Sequence, residues 1–259
     1  MSLWGARRRF PEKSGAFPEE AQTDRHANMD FPKPTQAAAL KILVLGPPAS
    51  GKGTHGRLLA EALGLAYLST GAVLRENVEN GTELGLKAKP ILDRGGYLPD
   101  ELMCPILGDW LAGRSGGWVL DGFPRSLPQG VFLDEALGKV GVRIDQAISL
   151  EVPFEDLLER ILDRVECPDC RWTGQRKQLA GDGIQEGKCP ACGGPAAARP
   201  DDDEGNFRSR HAEFERLTLP VIEHYRVAGL LSACDATPPR AEVAARLLGL
   251  IQGLPVVSA

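Results

Sequence analysis

Gly46-Pro47-Pro48-Ala49-Ser50-Gly51-Lys52-Gly53-Thr54 follows a short apolar run, Ile42-Leu43-Val44-Leu45, and precedes a segment in which Leu58, Leu59, Ala62 and Leu63 recur at helical spacing. A glycine-rich loop between a buried strand and a helix N-terminus turns successive backbone N–H groups toward one point, and the helix dipole adds to that positive concavity. Its natural occupant is a phosphate chain, held along Ala49, Ser50, Gly51, Gly53 and Thr54, with Lys52 as a mobile charge for the terminal phosphates. The hydroxyl that ordinarily follows the lysine and meets Mg²⁺ comes one place late, as Thr54. That displacement argues against a GTPase or a motor ATPase.

Outward from the loop, the 259 residues suffice for one large α/β domain or one and a half domains. A net charge of −5 exerts no bulk pull on nucleic acid or anionic membranes, so any basic site is local. No apolar run of about 18 residues is present, which excludes a helical membrane span. Residues 1–39 carry Arg7-Arg8-Arg9, four prolines and scattered charges without apolar period, and are expected to be a disordered extension. Their acids do not suit a transit peptide, and they hold no secretory core. Of six cysteines, four form two C-x-x-C pairs, which fits a cytoplasmic chain with a metal site better than a disulfide framework.

Leu65-Ala66-Tyr67-Leu68 reads as a strand, Ser69-Thr70-Gly71 as a helix cap, and Arg75 falls on the second turn of that helix. Gly95 to Asp100 is a turn before a helix from about Glu101 to Ala112. Gly117 to Leu120 is an apolar strand that runs into Asp121-Gly122-Phe123-Pro124-Arg125. Ligands of parallel α/β sheets sit at the carboxyl ends of strands, which puts Asp121 beside the phosphate loop to hold a Mg²⁺-bound water. Arg125 can offer a bidentate fork to a second phosphate.

GPPASGKGT, STGAVLR and DGFPRSLPQ, with the later paired arginines, resemble adenylate kinase, from about Lys41 to the C-terminus. The resemblance implies an AMP pocket of Thr70, Arg75, the backbone around Leu98, Gly122 to Arg125 and Gln129, in which Gln129 reads the adenine edge and the two arginines hold the phosphate. Thr70 is similar to the AMP-selective form. The family's usual acid after Ser-Thr-Gly is Ala72 here, which leaves Asp121 as the main carboxylate near the metal.

Pro153 to Arg164 has proline and acids at a helix start, and Arg160 and Arg164, four apart, are expected on one face. In the family such arginines reach the ATP phosphates. Cys167-x₂-Cys170, eighteen residues, then Cys189-x₂-Cys192 make a closed structural Zn²⁺ site of four thiolates. The resemblance agrees, since bacterial adenylate kinases carry a four-cysteine zinc LID there. Here Arg171-Trp172-Thr173 stands in place of the family's usual aromatic sequence. Further on, Arg199 and Arg210 match the arginines that close on both nucleotides, Asp201 and Asp202 flank the hinge, and one helix is expected from Arg208 through Tyr225. Cys234 to Pro239 resembles the turn over the ATP base, before a last helix from Arg240 to Gln252.

The implied whole is a P-loop three-layer αβα core, residues 40–164 and 203–259, with an AMP-binding segment at 69–98 and a zinc LID at 165–202. Its chemistry is Mg²⁺-dependent phosphoryl transfer from ATP to AMP, giving ADP, by a monomer without nucleic-acid or membrane partners, whose LID opening limits turnover. The alternatives are a UMP-, CMP- or GMP-directed kinase, an inactive nucleotide-binding protein, and a zinc-ribbon nucleic-acid binder.

Overall fold

The computed structural model describes residues 40–112, 116–170, 172–180 and 187–253; the expected N-terminal extension and Arg171 lie outside them. These residues form two compact units, Val165–Ala197 and the remainder.

In the larger unit, β1 (Lys41–Leu45) leads through the glycine loop into α1 (Lys52–Leu63). Then come β2 (Ala66–Ser69), α2 (Thr70–Glu79), α3 (Glu83–Leu92), α4 (Asp100–Ala112), β3 (Trp118–Asp121), α5 (Leu127–Gly138), β4 (Gln146–Glu151) and α6 (Phe154–Leu162). The strands β1 to β4 are completed by β7, which is Leu231–Asp235, in a five-stranded sheet of order β2-β3-β1-β4-β7 in which every pairing is parallel. β1 is central and buried on both faces, and its side chains alternate between two cores. Ile42 and Val44 pack with Leu59 and Leu63 of α1, and with Leu247 of the final helix, Arg240–Gln252. Leu43 and Leu45 pack with Leu74 of α2, Leu107 of α4 and Leu133 of α5. The helices that follow β1 and β3 therefore lie on opposite faces, and the crevice at the carboxyl ends of these two neighbouring strands is a topological switch point.

Three expectations shift. The buried stripe of α1 is His55, Gly56, Leu59, Ala60 and Leu63, not Leu58 and Ala62. Gly56 fits this phase: a Cβ there would stand 3.1 Å from the Tyr67 ring and 3.7 Å from both Val44 and Val119, so the helix faces the sheet closely at this position. Arg164 does not share a helical face with Arg160. α6 stops at Leu162, and Arg164 opens β5 (Arg164–Glu166), whose Glu166 backbone pairs with Ala197 in both directions. The late helix is interrupted: α7 (Glu204–Glu213) passes through a π turn, Phe214–Thr218, into α8 (Leu219–Val227). Pro220 lacks the N–H that would bond the Arg216 carbonyl, so the α-helical register cannot continue there.

The smaller unit pairs β5 with β6 (Thr173–Gln175), followed by a 3₁₀ turn, Arg176–Ala180. Among the described residues of this unit, Val165, Leu179 and Ala196 are buried around Cys167 and Cys189.

Candidate active site

The glycine loop is wound as an anion cradle. Gly46, Ala49 and Gly51 all have positive φ (141°, 64° and 92°), and Gly51 caps α1 without a side chain in the way. Ala49 holds a left-handed conformation that costs a non-glycine residue energy, a strain that collects at ligand sites. Lys52 Nζ donates to the carbonyls of Gly46 at 2.8 Å and Pro47 at 2.6 Å. Burial lowers its pKa to about 8; Asp121 opposes the fall, and Arg125 and Arg164 add to it. Lys52, Asp121, Arg125 and Arg164 thus share one electrostatic neighbourhood.

Asp121 stands level with the ends of both neighbours, paired with Val44 of β1 and Ser69 of β2. Its Oδ2 accepts from the Tyr67 hydroxyl at 3.0 Å, and the same hydroxyl lies 3.3 Å from the Gly53 carbonyl. Burial first, then Asp121, push the Tyr67 pKa well above 10, which keeps it a donor. Sequence reasoning gave Tyr67 no part in the site, because only the parallel pairing of β2 with β3 brings it to Asp121.

A second pocket lies beside the first. The Ser69 hydroxyl caps α2 by accepting from Ala72 N, and Thr70 Oγ1 donates to the Gly122 carbonyl at 2.8 Å. Gly122 has φ 79° and leaves no room for a Cβ, which would stand 2.7 Å from Thr70 Oγ1 and 3.1 Å from Arg125 Nη2. Arg75 Nη1 and Arg125 Nη2 converge over Gly71, 3.3 and 3.9 Å from where its Cβ would sit. Two guanidinium groups at one point suit a phosphate. Arg125 is fixed from three sides: its Nε donates to Gly122 O at 2.7 Å, its guanidinium lies 4.6 Å over the Tyr97 ring, and its carbonyl accepts from Thr218 of the π turn at 2.9 Å. A small cavity here is lined by Thr70, Leu74, Tyr97, Leu98, Met103, Gly122, Phe123, Arg125 and Gln129. Pro124 follows Phe123 on the same strand-end turn. Tyr97, Thr218 and Asp100, whose Oδ1 accepts from Gln129 Nε2, were not foreseen, since no local spacing links them to Arg125 or Gln129.

The remaining arginines are engaged elsewhere. Arg160 donates to the carbonyls of Ala236 and Thr237, the turn expected over the ATP base. Arg164 forms a bidentate pair with the buried carboxylate of Asp202, and Arg210 pairs with Asp201. Burial would raise the Asp201 pKa, but Arg210 and then Arg199 more than offset it and hold the carboxyl below its usual value. His55 lies under the loop with its ring against Gly51, and burial, Arg240 and Arg160 drop its pKa to about 4, so it is neutral.

In the smaller unit the sulfurs of Cys167, Cys170, Cys189 and Cys192 all lie within 4.8 Å of one another, with Cys167–Cys192 and Cys170–Cys189 at 3.6 Å. No disulfide joins them. A tetrahedral ZnS₄ centre with bonds of about 2.3 Å requires sulfurs about 3.8 Å apart, so the donor set fits one metal ion. Among the described residues no helix is long and apolar enough to cross a membrane.

A family model described as adenylate kinase matches residues 44–230. The chain is 39% identical over 215 residues to an adenylate kinase of Agathobacter rectalis, covering 82% of this chain and 99% of that protein. It is 38% identical to an adenylate kinase of Lachnospira eligens, over 82% of this chain and the whole of that protein. An adenylate kinase of Carboxydothermus hydrogenoformans is 36% identical over the same shares. With a phosphate loop and a two-arginine pocket at neighbouring strand ends, and a match of this extent, the chain belongs to the adenylate kinase family.

Proposed function

We propose that this chain transfers the γ-phosphoryl group of MgATP to AMP, reversibly, giving two ADP. The observation that carries the reading is the pairing of two anion sites across the switch point: the glycine loop with Lys52, and the pocket with Arg75, Arg125 and Gln129. An oxygen of the AMP phosphate attacks the γ-phosphorus as the bond to the β,γ-bridging oxygen breaks, and ADP leaves. No protein nucleophile is required; the work is alignment and charge neutralisation. Alignment of two bound nucleotides is worth about 7–11 kcal/mol, more than one general base supplies.

In this reading Lys52 and the loop amides hold the ATP phosphates, Asp121 orients waters on the Mg²⁺ that enters with ATP, and Thr70, Leu98, Gly122 to Arg125 and Gln129 hold AMP. Arg160, Arg164, Arg199 and Arg210 shield the transferring group, with Arg164 and Arg210 exchanging their aspartates for phosphate. Closure of residues 165–202 excludes water as the competing acceptor, and reopening limits turnover. Zinc is the metal proposed for the four thiolates, and a monomer in the reducing cytoplasm is the proposed state. The test is ADP formation from equimolar ATP and AMP, with UMP, CMP and GMP as competing acceptors. ADP should form with AMP preferred; no ADP from any acceptor would overturn the reading.

A further inference from the structure

The side-chain amide of Gln129 is clamped at both ends. Its Oε1 accepts from the backbone N–H of Arg125 at 2.8 Å, and its Nε2 donates to Asp100 Oδ1 at 2.7 Å. A main-chain N–H only donates and an ionised carboxylate only accepts, so the amide has one orientation. Turned over, it would set N–H against N–H and oxygen against carboxylate. Gln129 is 3% exposed and borders the cavity with Thr70, Leu98 and Arg125. Asp100 is the first residue of α4, where the helix N-terminus favours its negative charge. A primary amide has two donor and two acceptor positions; the clamp uses one of each and leaves one of each in a fixed order.

We infer that Asp100 is a positioning residue that selects the acceptor base through Gln129, admitting adenine and rejecting guanine and hypoxanthine. The inference rests on the AMP reading above. Adenine carries a ring acceptor at N1 beside an exocyclic amine donor. Guanine and hypoxanthine carry an N1–H donor beside a carbonyl acceptor, the same outline with the order reversed. A free amide satisfies either edge by turning over, whereas a clamped one satisfies only one. With AMP as acceptor, the fixed order is the adenine order. To suit a 6-oxopurine, Gln129 would have to break both clamp bonds and leave like groups facing each other in a buried pocket.

The experiment measures kcat/KM for AMP, GMP and IMP at saturating ATP, for the unsubstituted chain and for Asp100→Asn, with the KM for ATP and the Tm as controls. Asparagine can present either its oxygen or its amine, so it removes one of the two penalties on the turned amide, the one at the Asp100 end, and leaves the Arg125 N–H as the other, while keeping the shape. IMP isolates donor order from the bulk of the guanine 2-amino group. The AMP-over-IMP ratio should fall by about tenfold or more in Asp100→Asn, with the KM for ATP unchanged. An unchanged ratio, whether both acceptors are kept or lost together, assigns Asp100 a structural role and overturns the inference. If Asp100→Asn does not fold, the unsubstituted chain still decides: it should prefer AMP to IMP by about a hundredfold, and equal use refutes the clamp. Failure to phosphorylate any monophosphate would instead remove the AMP reading, and this inference with it.

Discussion

Lys52 must carry a charge where the surroundings resist one. Its pKa of about 8 against an ordinary 10.5 means that between these values the unfolded chain binds more protons at this position, so its contribution to stability rises with pH across that window. For catalysis the sign reverses, because a phosphate needs the ammonium form. The kcat/KM for ATP should therefore fall as pH rises through about 8, and Lys52→Arg, charged throughout, should lose that limb. A pH–rate profile checks this, and an identical limb in both proteins would exclude Lys52 as its source. Tyr67 is a second case, since its hydroxyl donates to Asp121, the carboxylate proposed above to orient waters on Mg²⁺. Tyr67→Phe should raise the Mg²⁺ concentration needed for half-maximal rate by about fivefold, the worth of one hydrogen bond, with the KM for AMP unchanged. A Mg²⁺ titration identical to that of the unsubstituted chain would deny Tyr67 this role. Residues 46–54 were legible because their meaning is contiguous. Tyr67 with Asp121, 54 residues apart, and Asp100 with Gln129, 29 apart, were not, because only the sheet and the α4–α5 packing bring them together.

At the scale of elements, the end of α6 decides what Arg164 can do. An i, i+4 pattern continues through Arg164 in sequence, yet the chain leaves the helix at Asp163 because Glu166 is claimed by a ladder with Ala197, a partner that no local signal announces. By contrast the central strands were readable, since β1 and β3 are continuous apolar runs of the kind that only a doubly covered sheet uses. Off the helix, Arg164 meets Asp202, whose side chain is 1% exposed. Removing one member of a buried pair strands the other, so Asp202→Ala should cost about 3 kcal/mol and lower Tm by about 6–10 °C in a chain of this length. Glu204→Ala is the comparison: it removes an i, i+4 pair with Arg208 whose members are 57% and 53% exposed, and should move Tm by about 2 °C at most. Thermal melts of the two variants side by side test the difference, and equal shifts would show that burial does not set the value of the Asp202 pair.

For the whole molecule, the two units differ in what their described residues bury. The larger buries apolar side chains on both faces of its sheet, while among the described residues of 165–197 the buried apolar side chains beside the cysteines are Val165, Leu179 and Ala196, a small core. Four converging sulfurs can supply the difference, because a structural Zn²⁺ contributes on the order of 10 kcal/mol to folding. Elemental analysis should find about one zinc per chain. A strong chelator should then open the smaller unit to proteolysis within 165–197, while the larger unit still gains Tm from ATP by ligand linkage. Loss of both together would mean that the metal stabilises the whole chain as one cooperative block. A chelated protein with unchanged cleavage and unchanged Tm would mean that the smaller unit folds without metal, and its small core would then need another explanation.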